Sequence, residues 1–285
     1  MLCKLTYALT ADGRAIHISE AERGLGCGCV CAGCGEPLIA RQGDEMGHHF
    51  AHAGGEDCPN GYINSLYHAF LRGVTELGCI SLPPYEKNRS LIDDGGGLHV
   101  MLPAARVRVD RAELVRKGGA ATGLLLYCSG RPLILKLLTS YSVNTRSMKK
   151  ILEVGLPVIE LDLSRDDAID NAAVRDCLTS VPNNLGWVYN AKGEELWEAL
   201  VARCSKLPVK ERENKPFTYG CPVPAKRTDG FSCYVKESCA RCEFFFGQYG
   251  CGEDRYVLCG RTALTADPED LRLSLAERKK KYAGR

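Results

Sequence analysis

Apolar residues recur three and four positions apart after residue 60, which is the spacing of one helix face. The residues with this spacing are Ile63, Leu66, Tyr67, Phe70, Leu71, Val74 and Leu77. The pattern predicts an amphipathic helix over residues 62–77 that ends at Gly78. Asn64, His68 and Arg72 lie four residues apart and form a separate polar stripe along this helix.

Three runs with the pattern of β-strands follow the helix, at residues 106–110, 123–128 and 132–138. Polar and apolar residues alternate in the first run, which places Arg106, Arg108 and Asp110 on one face of a strand. The third run is apolar except for Lys136. Glycine-containing pairs separate the runs and indicate hairpin turns.

A helix, a strand and a further helix complete the pattern, at residues 144–154, 157–163 and 165–178. The last of these helices is expected to be capped by Ser164. The order of helix, three strands, helix and strand predicts an α/β fold. Because a helical crossover joins the last two strands, we expect them to be parallel neighbours in a mixed sheet.

The composition is ordinary except for its cysteines. A net charge of +2 and a hydrophobic fraction of 45% over 285 residues are typical of a globular protein, but the chain has 16 cysteines against 6 histidines. The first twenty residues lack a signal-peptide pattern, and no apolar run reaches the ~18 residues of a membrane helix. We therefore expect a cytoplasmic protein with reduced thiols and no membrane partner, whose clustered cysteines bind metal.

The first cysteine cluster contains a Cys-x-x-Cys turn at Cys31 and Cys34. Two intervening residues allow one tight turn to place both sulfurs on a tetrahedral zinc ion. A second ligand pair is expected after a hairpin. The predicted ligands are Cys31, Cys34, His52 and Cys58, with His49 or Cys29 as a substitute for one of them.

The second cluster repeats the Cys-x-x-Cys pattern near the C-terminus. Its predicted ligands are Cys221, Cys239, Cys242 and Cys259, with Cys233 and Cys251 as spare thiols. A site filled by four protein ligands leaves no position for a substrate. Two structural zinc ions are therefore expected, each holding together a segment too short to build its own core.

Several motifs along most of the chain match one known family. They are the cysteine-rich run from residues 26 to 38, the segments 40–43 and 49–52, His68, Arg108 with Asp110, and the segments 158–164, 187–190, 221–222 and 239–242. Together they resemble the competence protein CoiA-like family. The resemblance implies a zinc-binding N-terminal region and a nuclease core of the PD-(D/E)XK, restriction-endonuclease-like kind. It therefore implies such a mixed-sheet core flanked by two small zinc-binding modules.

The family's chemistry uses acidic residues that hold Mg²⁺, which prefers hard oxygen ligands, and a lysine that assists the reaction. At the corresponding acidic positions this chain has Asn64 and Ile134. Asp110, Lys136 and His68 are retained and are the candidate catalytic residues. The resemblance therefore implies a degenerate nuclease site.

Three interpretations of function remain open. The core binds DNA without cleaving it, either alone or as an adaptor or subunit of a DNA-uptake or defence complex. Alternatively, a migrated acid keeps a magnesium-dependent endonuclease active, with Glu113, Glu160 and Asp162 as candidates. The third is a protein-interaction module with both zinc sites as scaffolds. Clustered cations favour a nucleic-acid partner, and the predicted contacts are Arg106, Arg108, Lys149 and Lys150.

Motif positions also predict the domain organisation. The predicted segments are a zinc-ribbon-like domain at residues 1–60, the nuclease-like core at 61–205, a zinc-binding module at 215–262 and a basic tail at 263–285.

Overall fold

A computed structural model describes residues 4–44, 47–55, 58–88, 98–139, 155–165, 169–223, 227 and 232–283. The chain forms two compact units. The first contains Met1–Pro83 and Ala104–Ala191, and the second contains Pro84–Pro103 and Lys192–Arg285. This grouping joins the segments predicted as zinc domain and core, and it assigns an internal segment to the second unit. The four predicted segments remain a prediction about independent folding.

The described residues contain four α-helices and seventeen strands. The helices are α1 (Gly61–Leu77), α2 (Asn171–Thr179), α3 (Ala191–Arg203) and α4 (Leu275–Lys281). The strands are β1 (Tyr7–Leu9), β2 (Ala15–His17), β3 (Leu38–Arg41), β4 (His49–His52), β5 (Cys79–Leu82), β6 (Tyr85–Asn88), β7 (Leu98–Leu102), β8 (Ala105–Lys117), β9 (Ala120–Cys128), β10 (Arg131–Leu138), β11 (Val158–Asp162), β12 (Leu185–Tyr189), β13 (Ser205–Arg212), β14 (Lys215–Tyr219), β15 (Ser232–Tyr234), β16 (Phe245–Tyr249) and β17 (Tyr256–Cys259).

The helices agree only in part with the sequence pattern. Helix α1 forms as predicted and ends at Gly78, whose positive φ is the left-handed conformation that glycine adopts most easily. Helix α2 begins later than predicted. Its cap is Asp170 rather than Ser164, because the Asp170 carboxylate accepts a hydrogen bond from the amide of Ala173 at 2.8 Å. The helix predicted at residues 144–154 lies outside the described residues, as do Lys149 and Lys150.

A six-stranded mixed sheet forms the centre of the first unit, with strand order β12-β11-β10-β9-β8-β5. Strands β10 and β11 are parallel, as predicted, while the other neighbours are antiparallel. Helices α1 and α2 pack their apolar faces with one face of this sheet in a single buried core. The α/β class and the mixed sheet are therefore confirmed.

Strand β8 is much longer than the run that predicted it. The side chains alternate between exposed and partly buried up to Val109, and a bulge between Val109 and Arg111 then shifts the register with β9. Because a bulge adds an unpaired residue, Asp110 and Arg111 are both exposed. The bulge separates the Asp110 end of the strand from the part that continues to Lys117.

Two small antiparallel hairpins, β1-β2 and β3-β4, lie ahead of α1 in the first unit. Their core includes Ile18, Leu38 and Phe50, together with buried Cys29 and Cys31. This core is small, which agrees with the prediction that a segment of this length cannot build a large core of its own.

The second unit contains a five-stranded antiparallel sheet with strand order β15-β14-β13-β17-β16, and the separate β6-β7 hairpin. The segment predicted as a basic tail is folded within this unit. Asp270 is fully buried and accepts hydrogen bonds from Lys281 at 2.6 Å and Tyr282 at 2.7 Å. Tyr282 in turn packs in the buried core, with its ring 5.1 Å from that of Phe244.

Candidate metal centre

The N-terminal cysteine group consists of Cys31, Cys34 and Cys58, whose sulfurs all lie within 4.8 Å of one another. Cys31 and Cys34 stand on one turn, in which the Gly33 amide donates to the Cys31 sulfur at 3.3 Å. A Cβ atom at Gly33 would lie 2.6 Å from the Cys58 sulfur and 2.8 Å from the Gly61 nitrogen. Only glycine therefore lets this turn approach the start of α1 so closely.

His52 supplies a fourth donor beside this group. Its Nε2 lies 3.4 Å from the Cys34 sulfur, and the side chain is buried at the end of β4. Three of the four predicted ligands thus form one group, and the fourth, His52, lies beside it in contact with Cys34. The alternatives lie elsewhere: the Nδ1 of His49 is 2.9 Å from the carbonyl oxygen of Gly47, and the Cys29 thiol donates to the carbonyl of Cys27.

Three thiols and one imidazole suit a tetrahedral zinc ion better than a hard cation. Burial raises the pKa of the Cys31 thiol to about 11. A nearby cation is therefore needed to keep this sulfur as a thiolate at neutral pH, and a bound metal supplies that charge. The cysteine group could hold a metal ion, and its donors fit zinc.

The C-terminal cysteine group gathers five thiols around a small apolar cavity of about 20 Å³: Cys221, Cys233, Cys239, Cys242 and Cys259. The sulfurs of Cys233 and Cys239 lie 3.4 Å apart, and their hydrogen bond and burial both raise the pKa of Cys239. Cys251 is exposed and does not line this cavity.

This second group is looser than the first. Within the part of the chain that the structure describes, Cys31, Cys34 and Cys58 form the only set of three ligand atoms within 4.8 Å of one another. The predicted ligands of the second site surround one cavity, but they are joined there by Cys233, which was predicted to be spare. A spare thiol gives no sequence signal of its own, since only the fold brings β15 beside the Cys-x-x-Cys turn.

Asn64 occupies the position at which the resemblance implies an acidic residue on the first helix. It is fully buried, and its Nδ2 donates to the carbonyl oxygens of Ala32 and Gly119, each at 3.1 Å. Its Oδ1 accepts from the amide of Ala121 at 2.7 Å. Asn64 therefore joins three backbone segments: the Cys31–Cys34 turn, the β8-β9 turn and the start of β9.

The sequence pattern did not indicate this role of Asn64. It places Asn64 on one polar stripe of α1 with His68 and Arg72, which lie nearer the surface. Arg72 makes ion pairs with Glu20 and Glu76, both at 2.8 Å. His68 Nε2 lies 2.8 Å from the Arg116 guanidinium. Burial lowers the pKa of His68, and the charge of Arg116 lowers it further. The small neighbours Ser65 and Ala69 were the available signal that α1 is packed on more than one side.

Asp110 and Lys136 lie far apart in the sheet. The register aligns Val109 with Cys128 and Cys128 with Arg131, so Asp110 stands near the start of β10. Lys136 lies five residues further along that strand, a separation of roughly 16 Å along the strand direction. The two side chains therefore do not meet at one metal ion.

Each of these residues has a different neighbour instead. Asp110 pairs with Arg108 at 2.8 Å and accepts a hydrogen bond from the amide of Gly130 at 3.0 Å. Lys136 lies 3.8 Å from Glu160, its register partner on β11. The remaining candidate acids are engaged as well: Glu113 pairs with Arg111, and Asp162 accepts from the amide of Ser164. Ile134 lies on β10, where it is the register partner of Val158 on β11.

The two arginines of β8 that are predicted to contact nucleic acid interact with neighbouring side chains instead. The guanidinium of Arg108 is paired with Asp110, and that of Arg106 donates to the Cys79 sulfur at 3.0 Å. The cationic face of β8 is therefore partly neutralised by its own strand. No helix among the described residues has both the length and the apolar character needed to cross a membrane.

Comparison with known families identifies the segment that carries the first metal centre. Residues 20–61 match the family model described as competence protein CoiA, N-terminal domain. This segment is therefore similar to the N-terminal domain of competence protein CoiA. The matched range contains all four residues of the predicted CoiA-like zinc site and ends at the first residue of α1. No curated protein and no solved structure matches the chain.

Proposed function

We propose that this CoiA-like protein is a zinc-stabilised nucleic-acid-binding protein whose restriction-endonuclease-like core does not cleave its ligand. In this proposal Cys31, Cys34, His52 and Cys58 hold one structural zinc ion. The C-terminal cysteine group holds a second ion through Cys221, Cys239, Cys242 and Cys259. The thiolates require a reducing compartment, which we take to be the cytoplasm.

The environment of Asn64 carries the non-catalytic part of the proposal. Its amide is saturated by three backbone groups in a buried site, so neither its charge nor its position suits a magnesium ligand. The separation of Asp110 from Lys136 supports the same conclusion. With DNA as its ligand, such a protein acts as a binding subunit or adaptor.

Labelled DNA and RNA oligonucleotides, single- and double-stranded, test the binding part by fluorescence anisotropy over a range of salt concentrations. We expect binding that weakens steeply with salt, because phosphate contacts release counterions. If the full-length zinc-loaded protein binds none of these probes at low salt, the proposed function is wrong, and the protein-interaction alternative takes its place.

The contact between Lys136 and Glu160 favours a second candidate function, a magnesium-dependent endonuclease with a migrated acid. Incubating the protein with DNA and Mg²⁺ or Mn²⁺ distinguishes the non-catalytic function from the endonuclease. Our proposal predicts no cleavage by the wild type. Cleavage that disappears in Glu160→Gln but persists in the matched variant Glu113→Gln would establish the endonuclease and overturn the non-catalytic core.

A further inference from the structure

A cleft with a volume of about 770 Å³ lies beside the N-terminal cysteine group in the first unit. Its walls are β4, the first turn of α1, the start of β9 and the residue that follows β10. The β3-β4 hairpin and the six-stranded sheet therefore both contribute to it. His52 and Cys58, two of the proposed zinc ligands, also line it, so the cleft borders the proposed zinc site. None of the residues of the degenerate nuclease motif lies in its described lining.

The acidic and basic side chains in the described lining of the cleft are all basic. Lys4, Arg41 and His49 line it, and its described lining contains no aspartate or glutamate. Neither Lys4 nor Arg41 makes an ion pair with any of the described residues. On β8, by contrast, Arg108 and Arg111 each pair with a carboxylate two residues away. Cations that lack a protein partner are better placed to bind an external anion.

The first turn of α1 adds to this positive potential. Residues 60–63 line the cleft, the turn contains no acidic residue, and the Asn60 side chain makes no capping hydrogen bond. The positive end of the helix dipole therefore faces the cleft, and neither the first turn nor the described lining supplies a carboxylate to neutralise it. The cations and the dipole together favour a ligand with several negative charges.

The shape and the ring surfaces define the ligand further. A cleft of about 770 Å³ has the size of a pocket for small ligands rather than of a surface for a duplex. Tyr62 and His49 contribute rings to its lining. Cations beside aromatic rings in a groove are the usual arrangement for binding single-stranded nucleic acid, with phosphates on the cations and bases on the rings.

We propose that this cleft binds a short segment of single-stranded nucleic acid, with Lys4 and Arg41 contacting its phosphates. The inference rests on the proposed function and names the surface that performs it. It places the nucleic-acid-binding surface in the cleft beside the β3-β4 hairpin rather than at Arg106 and Arg108 on β8.

The test compares Lys4→Gln/Arg41→Gln with the wild type and with Arg14→Gln in the full-length zinc-loaded protein. Arg14 is an exposed cation of the same N-terminal region, but it is paired with Asp12 and lies outside the cleft. The probe is fluorescein-labelled oligothymidylate, with the matching duplex and oligouridylate as further arms. Zinc content and circular dichroism verify that each variant keeps its fold.

We expect the double variant to lose about tenfold or more in affinity at low salt, the loss of at least one charge-assisted hydrogen bond. The slope of log affinity against log salt should fall by about 0.7 for each phosphate contact removed. Arg14→Gln should bind like the wild type. Oligouridylate binding with the same dependence on Lys4 and Arg41 would support the inference and assign the cleft to both DNA and RNA.

Three outcomes would overturn the inference. Wild-type binding with no effect of the double variant would exclude the cleft while leaving the proposed function intact. Loss of binding in Arg108→Gln but not in the double variant would return the surface to β8. Tighter binding of the duplex than of the single strand would exclude the single-stranded ligand. No binding of any probe by the wild type would instead refute the proposed function itself.

Discussion

The two cysteine groups of this protein begin from the same Cys-x-x-Cys spacing and reach different geometries. In the N-terminal group three sulfurs lie within 4.8 Å of one another, and the imidazole of His52 lies 3.4 Å from one of them, so the candidate donors equal in number the four positions of a structural zinc ion. In the C-terminal group five thiols surround one cavity. A Cys-x-x-Cys motif thus predicts the position of a site, while the surrounding strands decide how many donors reach it.

The difference has a structural origin. The candidate partners of Cys31 and Cys34 are His52, at the end of a hairpin, and Cys58, three residues before α1 begins, so few elements determine the site. The partners of Cys239 and Cys242 come from three strands or strand ends: Cys221 follows β14, Cys233 lies on β15 and Cys259 ends β17. We therefore expect the first site to be intolerant of substitution and the second to be redundant.

Cys58→Ser has the largest expected effect on this comparison. Removing one of four donors should cost one zinc equivalent per chain and more than about 3 kcal/mol of stability in the N-terminal hairpins, because zinc-binding energy is folding energy there. Mass spectrometry of bound zinc and thermal denaturation by circular dichroism measure both. Cys251→Ser removes an exposed thiol outside both groups and should change neither. Full zinc content in Cys58→Ser would contradict the four-ligand site.

Asn64→Ala should have the next largest effect, because it leaves three backbone groups without the partner that Asn64 gives them in buried or partly buried hydrogen bonds. We expect a loss of about 3 kcal/mol in the free energy of unfolding by urea, and weaker zinc binding in competition with a chelator. The second effect arises because Asn64 holds the carbonyl of Ala32 in the Cys31–Cys34 turn. Ser65→Ala removes one hydrogen bond, to the carbonyl of Tyr62, and should cost about 1 kcal/mol or less. Equal effects of the two variants would exclude the role assigned to Asn64.

Asp270→Asn tests how far the C-terminal cysteine core depends on the last segment of the chain. Burial by itself would raise the pKa of Asp270, but hydrogen bonds from Lys281, Tyr282 and two backbone amides outweigh it, and the pKa is lowered from 3.8. The carboxylate therefore stabilises the fold above its ordinary pKa, and this contribution is lost as the pH falls through the lowered value.

The wild type should exceed Asp270→Asn by about 2 kcal/mol at pH 7 in urea denaturation. This gap should narrow below about pH 4, where the Asp270 carboxyl of the unfolded wild type begins to be protonated while that of the folded protein stays ionised. The effect of acid on zinc binding is common to both proteins and cancels in the difference. A gap that stays constant down to about pH 3 would show that Asp270 does not act through its charge.

Cys233→Ser should have the smallest effect. If the fifth thiol is redundant, the variant keeps its zinc and loses less than about 1 kcal/mol, while Cys233→Ser/Cys242→Ser loses the second ion. Zinc content of the two single variants and the double variant measures this directly. Loss of zinc in Cys233→Ser alone would make Cys233 a ligand and remove the contrast with the N-terminal group.

The sequence by itself determined the local elements and the position of the N-terminal cysteine group. Helical periodicity located α1, glycine pairs located the hairpin turns around β9, and the crossover rule predicted the parallel pairing of β10 with β11. The N-terminal ligands were predictable because they lie on one turn, one adjacent hairpin and one helix start. Such contacts depend on short stretches of chain, whose geometry follows from residue type and spacing.

Only the tertiary structure decided the properties that depend on distant strands. Register placed Asp110 about five residues from Lys136, a bulge exposed Arg111, and β15 brought Cys233 to the second cysteine group. Packing buried Asn64 and left Lys4 and Arg41 to line a cleft free of described acidic residues. The physical reason is the same in each case: strand register, burial and the pairing of charges are set by contacts between residues that are far apart in the chain, and a pattern read along the chain does not contain them.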